Sequence, residues 1–428
     1  MRCAFIFRRD LRLYDNSGLN NAFNECEEVI PIFIADPRQL INNPYKSEFA
    51  VSFMINSLLE LDSEIRRKGS KLHIFFGEAE NVISNFRGVD AIYVNEDYTP
   101  FAITRDSNIK KVCENKGIEF KVFEDYLLTT KSIFHHKTFT SFYNDAKKLK
   151  VREPFTIEGK FGSIDSLSTD FLISFKKFES PLFQGGRKEA LKLLERDIDY
   201  TKRDFPSENG NSHLSPHIKF GTVSIREVYY KKIYNEEFIR ELYWRDFFTL
   251  LAYYNPYVFG NSFKKKYNYI QWDNNIEYFN AWKEGITGYP IIDAGMRALN
   301  STGYINGRLR MIVAFFLVKV LFVDWRWGEK YFATKLVDYD PAINNGNWQW
   351  VASTGVDYTF RIFNPWKQQE KFDPEAKFIK DWVEELRDYP PSVIHSLDKR
   401  RVKGYPPPIV DWRERVNYVR EKYRSLEN

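Results

Sequence analysis

The spacing of apolar residues changes character along the chain. In the first 128 residues, short near-continuous apolar runs stand at CAFIF (3–7), VIPIFIA (29–35), KLHIFF (71–76), AIYV (91–94) and EFKVF (119–123). Longer segments with helical spacing separate them. The clearest is SEFAVSFMINSLLELDSEIRRKG (47–69), with Ser47 as a candidate cap and Gly69 as a stop. Apolar strands that alternate with helices predict a parallel sheet covered on both faces, a doubly wound α/β domain of the nucleotide-binding kind. No GxGxxG follows the first strand, so the usual dinucleotide fingerprint is absent. Residues 129–190 lose the alternation and are rich in Ser, Thr, Lys and Gly, with Pro154 and Pro181. They predict a long connector with some structure. Beyond it the pattern is helical, with Gly185 and Gly186 ahead of the first helix. The expected layout is an α/β domain over 1–128, a connector over 129–190 and an all-α domain over 191–428.

Composition adds three constraints. Aromatic residues make up 17% of the 428 positions, which suits stacking of planar ligands and core packing equally. The net charge of +5 permits a phosphate-binding face without requiring one. Cys3, Cys26 and Cys113 are far apart in sequence, with no visible disulfide framework or zinc pattern, so no metal site is expected. A reducing cytoplasm is the expected compartment. The apolar run before FRRD is too short for a signal peptide. MIVAFFLVKVLFV (311–323) contains Lys319 and is too short to span a bilayer, so it predicts a buried helix and no membrane partner. A monomer is expected.

The densest chemistry lies in DYDPAINNGNWQW (338–350): Asp338, Asp340, Asn344, Asn345, Trp348 and Trp350. Buried aspartates need donors aimed at them. In a helix, Trp348 and Trp350 would face nearly opposite sides. In ELYWRDFF (241–248), Glu241, Trp244 and Arg245 fall at i, i+3 and i+4, a face suited either to a flat hydrogen-bonding ligand or to an ordinary ion pair beside a tryptophan. Tyr200 and Asn211 to Ser215 form a polar loop before LSPHIKFG (214–221), which serves as a phosphate cradle or as an ordinary cap. GRLRM (307–311) puts Arg308 and Met311 on one helical face and Arg310 on another. KKK (264–266), KRRVK (399–403) and Arg203 either meet phosphates or form solvated faces.

Taken in order, FRRDLRL (7–13), LSPHIKFG, ELYWRDF, WKEGITGYPIIDAGMRALNSTGY (282–304), GRLRM, DWRWGEKYF (324–332), the 338–350 stretch and STGVDYTFRIFNPWKQQEKFD (353–373) resemble the photolyase/cryptochrome family of flavoproteins. The match is nearest to class I cyclobutane pyrimidine dimer DNA photolyases. The resemblance implies FAD in the helical domain, held by Tyr200, Asn211, Ser212, His213, Leu214, Ser215, Phe238, Arg245, Arg310, Asp338, Tyr339, Asp340 and Asn344. It implies damaged single- or double-stranded DNA as substrate, met by Arg203, Glu241, Trp244, Arg245, Arg308, Met311, Trp350 and Gln368. Glu241 and Asn344 are implied at the reaction, with Trp272, Trp325 and Trp348 as an electron-transfer chain. Spacing alone does not separate those tryptophans from Trp282 or Trp327.

The family's usual His-Asn before Arg308 is here Asn306-Gly307. Two alternatives within the family remain. One is a signalling cryptochrome, whose members usually carry a long C-terminal tail, where this sequence stops at Asn428. The other is a (6-4) photolyase, whose chemistry uses a histidine pair where this chain has Asn306-Gly307. In folate-binding members an Asn-Glu pair follows the fourth strand. The aligned pair in NEDYTPFAITRD (95–106) is Phe101-Ala102. A flavin-type antenna (FAD, FMN or a deazaflavin) is therefore expected rather than methenyltetrahydrofolate, lined by Arg9, Asp36, Arg38, Lys46, Phe49, Asp97, Tyr98 and Phe101.

Overall fold

The computed structural model describes residues 1–357 and 359–427. Five parallel strands form one sheet: β1 (Arg2–Ile6), β2 (Glu28–Ala35), β3 (His73–Phe76), β4 (Ala91–Asn95) and β5 (Glu119–Phe123), in the order β3-β2-β1-β4-β5. Each strand falls on one of the apolar runs read from sequence. β1 is central, with Cys3 in register with Val29 on one side and Ala91 on the other. β1, β2 and β4 are buried almost throughout, as strands covered on both faces must be. β5 is an edge. Its partly exposed Lys121 pairs with Glu25 and Glu119, charges that discourage further strand pairing. Strand order reverses between β1 and β4, so the loops leaving these strands open at the topological switch point.

The helices obey local rules. α1 (Ser17–Glu25) is capped by Asn16. α2 (Glu48–Arg66) begins at Ser47, whose side chain accepts from the Ala50 amide, as the sequence predicted. α3 (Pro100–Lys116) is capped by Thr99 and closed by Gly117 in the left-handed region. The connector is not featureless. It carries α4 (Phe139–Ala146), then returns to the sheet, where Phe161 bridges Val29 and Leu167 bridges Ile74. The second bridge covers the β3 edge.

α5 (Ser215–Phe220), α6 (Ile225–Lys231) and α7 (Glu236–Tyr254) follow. Among the described residues no strand occurs after 190. The chain divides into two compact units. The first comprises Met1–Arg196, His213–Pro256 and Val337–Ala342; the second comprises Asp197–Ser212, Tyr257–Leu336 and the chain from Ile343. The linear division at 128 and 190 stays a proposal about sequence organisation. No helix among the described residues is long and apolar enough to cross a membrane. The 311–323 run contributes most of a buried helix, α8 (Gly307–Lys319). Its Lys319 donates to Ser353 Oγ at 2.7 Å and lies 4.0 Å from the Phe360 ring centroid.

One expectation is corrected. Cys3 and Cys26 form a disulfide, with Cα atoms 6.1 Å apart, and Cys113 is free and buried. The 23-residue separation concealed the pair, because only the turn of α1 back onto β1 brings them together.

The first unit is tied internally by four buried charges. Arg12 donates to Asp125 at 2.6 Å, and Arg226 reaches both Asp15 and Asp125 at 2.8 Å. Ser224 adds a hydroxyl to Asp15 at 2.5 Å. Burial alone would raise the Asp125 pKa, but Arg12 and Arg226 outweigh it and hold the carboxyl well below the usual range. Asp125→Ala should therefore leave two buried guanidiniums short of a partner and lower unfolding free energy by about 3–5 kcal/mol in denaturant titration. A carboxyl depressed on folding stabilises above its unfolded pKa of about 3.9, and that stabilisation fades as pH falls below it. The gap between wild type and variant should narrow below about pH 4.

Candidate active site

In the first unit Arg9, Arg245 and Asp340 gather around Tyr126, which sequence reading did not single out. The Tyr126 hydroxyl donates to Asp340 at 2.6 Å. Asp340 is also ion-paired with Arg9, which reaches Asp97 at 3.2 Å through its other terminal nitrogen. The guanidiniums of Arg9 and Arg245 lie 4.1 and 3.5 Å from the Tyr126 ring centroid. Arg245 also donates to the Tyr126 carbonyl at 2.7 Å, and its buried Nε has no partner. Gly221, with φ +65°, ends α5 beside this cluster. A Cβ there would come within 2.2 Å of the Arg9 carbonyl, so only glycine lets α5 close against the FRRD loop.

Ser215 is not a cap. It opens α5, and its hydroxyl donates to Asp338 at 2.6 Å. α5 is only six residues long, so the phosphate-cradle reading rests on the loop side chains rather than on a helix terminus. His213 has φ +56° and packs against Phe183. Phe238 is buried in the first turn of α7. Tyr339 lies near Lys219, whose pKa burial and nearby Arg9 pull down to about 8. On α7, Glu241 is exposed, Trp244 is half-buried and Arg245 is buried, so the three do not share one solvent face. Trp244 stacks flat on Phe139 of α4, with ring centroids 3.7 Å apart.

Of the antenna candidates, Arg38 is bound by Asp36 and by both oxygens of Glu80, and lies 5.2 Å from the Phe101 ring centroid. Arg105, missed in sequence, lies 5.7 Å from the same ring, and its Nη2 is buried without a partner. Lys46 pairs with Glu48 and Phe49 packs on Phe178. Tyr98 faces inward, against Tyr126 and Tyr253, rather than lining a surface. At the switch point a recess lined by Arg9, Asp10, Asn95, Asp97 and Tyr126 measures about 270 Å³ even counting space open to solvent. That is below the roughly 300–1,000 Å³ of ordinary ligand sites.

In the second unit α9 (Trp325–Lys335) and α10 (Pro341–Ala352) orient the polar residues. Asn344 donates to the Glu329 carbonyl at 2.9 Å, which fixes its carboxamide. Asn345 donates to the Glu329 carboxyl at 2.8 Å. Trp348 and Trp350 take opposite sides, as helical geometry predicted. Trp348 is buried against Phe332 and Trp282, and a Cβ on Gly328 would sit 2.2 Å from its ring. Trp350 donates to Asp357 at 3.2 Å and carries Arg361 over its ring at 4.8 Å. Trp325 is buried, and Trp272 is half-buried against Phe322.

Arg310 is oriented through Nε by the Ile305 carbonyl at 2.8 Å. Arg308, expected to face DNA, is partly exposed, pairs with Asp204 at 3.0 Å and lies 4.4 Å from the Phe372 centroid. Met311 is partly exposed one turn along. Arg203 lies over the Tyr200 ring, and Asn211 donates to the Arg203 carbonyl. The Gln368 side-chain oxygen is buried without a partner.

Two family models match: "DNA photolyase" over residues 3–157 and "FAD binding domain of DNA photolyase" over 238–425. The chain belongs to the DNA photolyase family. It is 35% identical to a deoxyribodipyrimidine photo-lyase of Escherichia coli, covering 95% of each chain. It is 34% identical to one of Alkalihalophilus pseudofirmus at the same coverage. The crystal structure of an archaeal photolyase from Sulfolobus tokodaii with two FAD molecules is 73% identical, with a TM-score of 0.98 over 99% of this chain and 100% of that one. A bacterial class III photolyase from Agrobacterium tumefaciens is 30% identical, with a TM-score of 0.90 over 100% of this chain and 98% of that one. A cryptochrome from Synechocystis stands at 26% and 0.89, covering 98% of each chain.

Glu329 was not legible in sequence, yet it supports both asparagines of α10. Burial raises its pKa to about 8, against the opposing hydrogen bond from Asn345. A carboxyl raised on folding binds its proton more tightly in the native state, so stability falls as pH rises from about 4.3 towards 8. Glu329→Gln keeps an acceptor for Asn345 and removes the titration. Its melting temperature should change less than that of the wild type between pH 5 and 8, as followed by circular dichroism.

Proposed function

We propose that this chain repairs cyclobutane pyrimidine dimers in DNA in a light-driven lyase reaction, with FAD as the catalytic cofactor. The observation that carries the reading is α10, which turns Trp348 into the core, presents Trp350 on the other side, and holds Asn344 by the Glu329 carbonyl. The curated relatives matched over nearly the whole chain carry the name deoxyribodipyrimidine photo-lyase. When bound and reduced, the flavin supplies on excitation the electron that opens the cyclobutane ring and takes it back.

The chain's own groups prepare that reaction. Trp244, backed by Phe139, and Trp350, backed by Phe315, are each proposed as an aromatic face for a pyrimidine dimer taken out of the stack. The exposed Glu241 carboxylate can accept from the N–H edge of a pyrimidine. Arg203, Arg308, Met311 and Gln368 complete the proposed DNA set, with Arg308 held by Asp204 until phosphate competes for it.

The donor chemistry suits FAD. Arg245 has a buried nitrogen without a partner, Ser215 and Asp338 form a hydroxyl–carboxylate pair, and Arg310 and Asn344 are each oriented by a backbone carbonyl. With these we place Tyr200, Asn211, Ser212, His213, Leu214, Phe238, Tyr339 and Asp340 in the cofactor set. Trp348, Trp325 and Trp272 are the proposed electron path. The (6-4) alternative is disfavoured. Asn306 accepts from the Leu309 amide and donates to the Arg203 carbonyl, which makes it a cap where that chemistry needs a histidine proton.

A flavin-type antenna completes the proposal. Arg38, Phe101 and Arg105 place two cations on one aromatic ring, and the buried Arg105 nitrogen is a donor awaiting an acceptor. The Sulfolobus tokodaii photolyase carries two FAD molecules, and the same class of second cofactor is proposed here.

Purified protein should remove thymine dimers from single- and double-stranded DNA only in light. Trp350→Ala should weaken dimer binding by about 1–3 kcal/mol, the worth of one stacked base, with the flavin spectrum retained. Trp348→Phe should slow photoreduction of the oxidised cofactor yet spare repair by chemically reduced protein. Restoration of (6-4) products with dimers untouched would overturn the substrate. For the antenna, cofactors released by denaturation should chromatograph as more than one flavin equivalent per chain. Methenyltetrahydrofolate in that fraction would count against it.

A further inference from the structure

We propose that His135, His136 and Asp145 form a binding site for a divalent transition-metal ion of the Zn²⁺ class, on the connector behind Trp244. The nearest ligand atoms of the three side chains all lie within 4.8 Å of one another. The inner pair is nearly in place, with His136 Nε2 3.6 Å from Asp145 Oδ2. Metal–nitrogen and metal–oxygen bonds of about 2.0–2.2 Å in a tetrahedral site put neighbouring ligand atoms roughly 3.3–3.5 Å apart. That separation is too long for a hydrogen bond and close to a tetrahedral edge.

Four further observations fit a ligand set. His136 is 7% exposed, and its Nε2 is buried without a hydrogen-bond partner, aimed at the Asp145 carboxylate. Its other nitrogen lies 2.9 Å from Ser141 Oγ, the kind of contact that fixes ring orientation and tautomer behind a metal-bound imidazole. His135 packs beside it, with ring centroids 4.1 Å apart, and is exposed, so it can swing to close the set. Lys148 reaches Asp145 at 3.0 Å through the other oxygen, Oδ1, and leaves Oδ2 towards His136. Two imidazoles and one carboxylate leave a fourth position for water, and this donor set favours Zn²⁺, Co²⁺, Ni²⁺ or Cu²⁺ over Mg²⁺ or Ca²⁺.

The location gives the site a consequence. His135 and His136 precede α4, and Asp145 lies in its last turn. An ion bridging them would clamp the turn to α4. α4 carries Phe139, which stacks on Trp244, so the clamp would stiffen the backing of a proposed lesion-facing tryptophan.

The test is equilibrium dialysis and calorimetry of the untagged full chain with Zn²⁺, with Co²⁺ as a visible-absorption probe. Wild type should bind one ion at this site, with slower hydrogen exchange over residues 135–146 and a raised melting temperature. Ser141→Ala should weaken binding by about 10-fold or more. Because His136→Ala opens a cavity, the deciding variants are the more exposed His135→Gln and Asp145→Asn. Both should melt like wild type without metal and lose the Zn²⁺-dependent shift. His395→Gln, a control at a histidine outside this cluster that faces the Pro374 carbonyl, should keep it. Absence of Zn²⁺ binding by wild type, or equal binding by His135→Gln and Asp145→Asn, would overturn the proposal.

Discussion

Four buried charges, Arg12, Arg226, Asp15 and Asp125, set the terms for the first unit. Each carboxylate is held by more than one donor, which is the condition under which a buried ion avoids a heavy desolvation penalty. The network fixes the loop after β1 to the segment after β5 and to α6. Arg9 stands three residues before Arg12, and Tyr126 directly follows Asp125. The same network therefore positions the two side chains that hold Asp340. Weakening it would act on the site as well as on stability.

In the second unit the corresponding constraint is steric. α10 buries one tryptophan and presents another two residues later, and a helix accepts this only if the buried indole has room. Gly328 on α9 supplies it, because any side chain there would enter the Trp348 ring. α9 then contributes polar support through Glu329, which holds Asn344 by its carbonyl and Asn345 by its carboxyl. Packing and hydrogen bonding thus come from consecutive positions of one helix. The closely packed Trp282 ring also shows why spacing could not rank the tryptophans: burial against Trp348 is a tertiary fact.

The sheet was legible because parallel strands buried on both faces leave near-continuous apolar runs, and all five runs became strands. The helical caps at Ser47 and the opposed tryptophans of α10 were legible because both follow from local geometry. What escaped depends on contacts between distant positions. Tyr126 belongs to no motif, and its partner Asp340 is 214 residues away. The Cys3–Cys26 bridge needs α1 to fold back before it is visible. Arg308 is implied as a DNA contact by the resemblance of GRLRM, but its partner Asp204, 104 residues away, belongs to no motif. A motif states which residues meet a ligand. It does not state which protein groups hold those residues beforehand.

The switch-point loops show why burial alone does not decide the state of a charge. Asp10 and Asp97 both line the recess there. Burial raises the Asp10 pKa to about 6, against hydrogen bonds from the Arg8 amide and Asn95. Burial pushes Asp97 upward too, yet Arg9, Arg105 and Lys219 outweigh it and leave its pKa lowered. The difference is the reach of cations, chiefly the Arg9 guanidinium at 3.2 Å. Arg9 is in turn shared with Asp340, so one cation serves two carboxylates. An anionic group brought near Arg9 or Lys219 would compete with those carboxylates rather than meet an uncommitted cation, whereas Arg105 and Arg245 each keep a buried nitrogen without a partner. On this balance a new ligand finds its least contested donors at Arg105 and Arg245, and the ion-paired Arg9 serves to hold the loops in register.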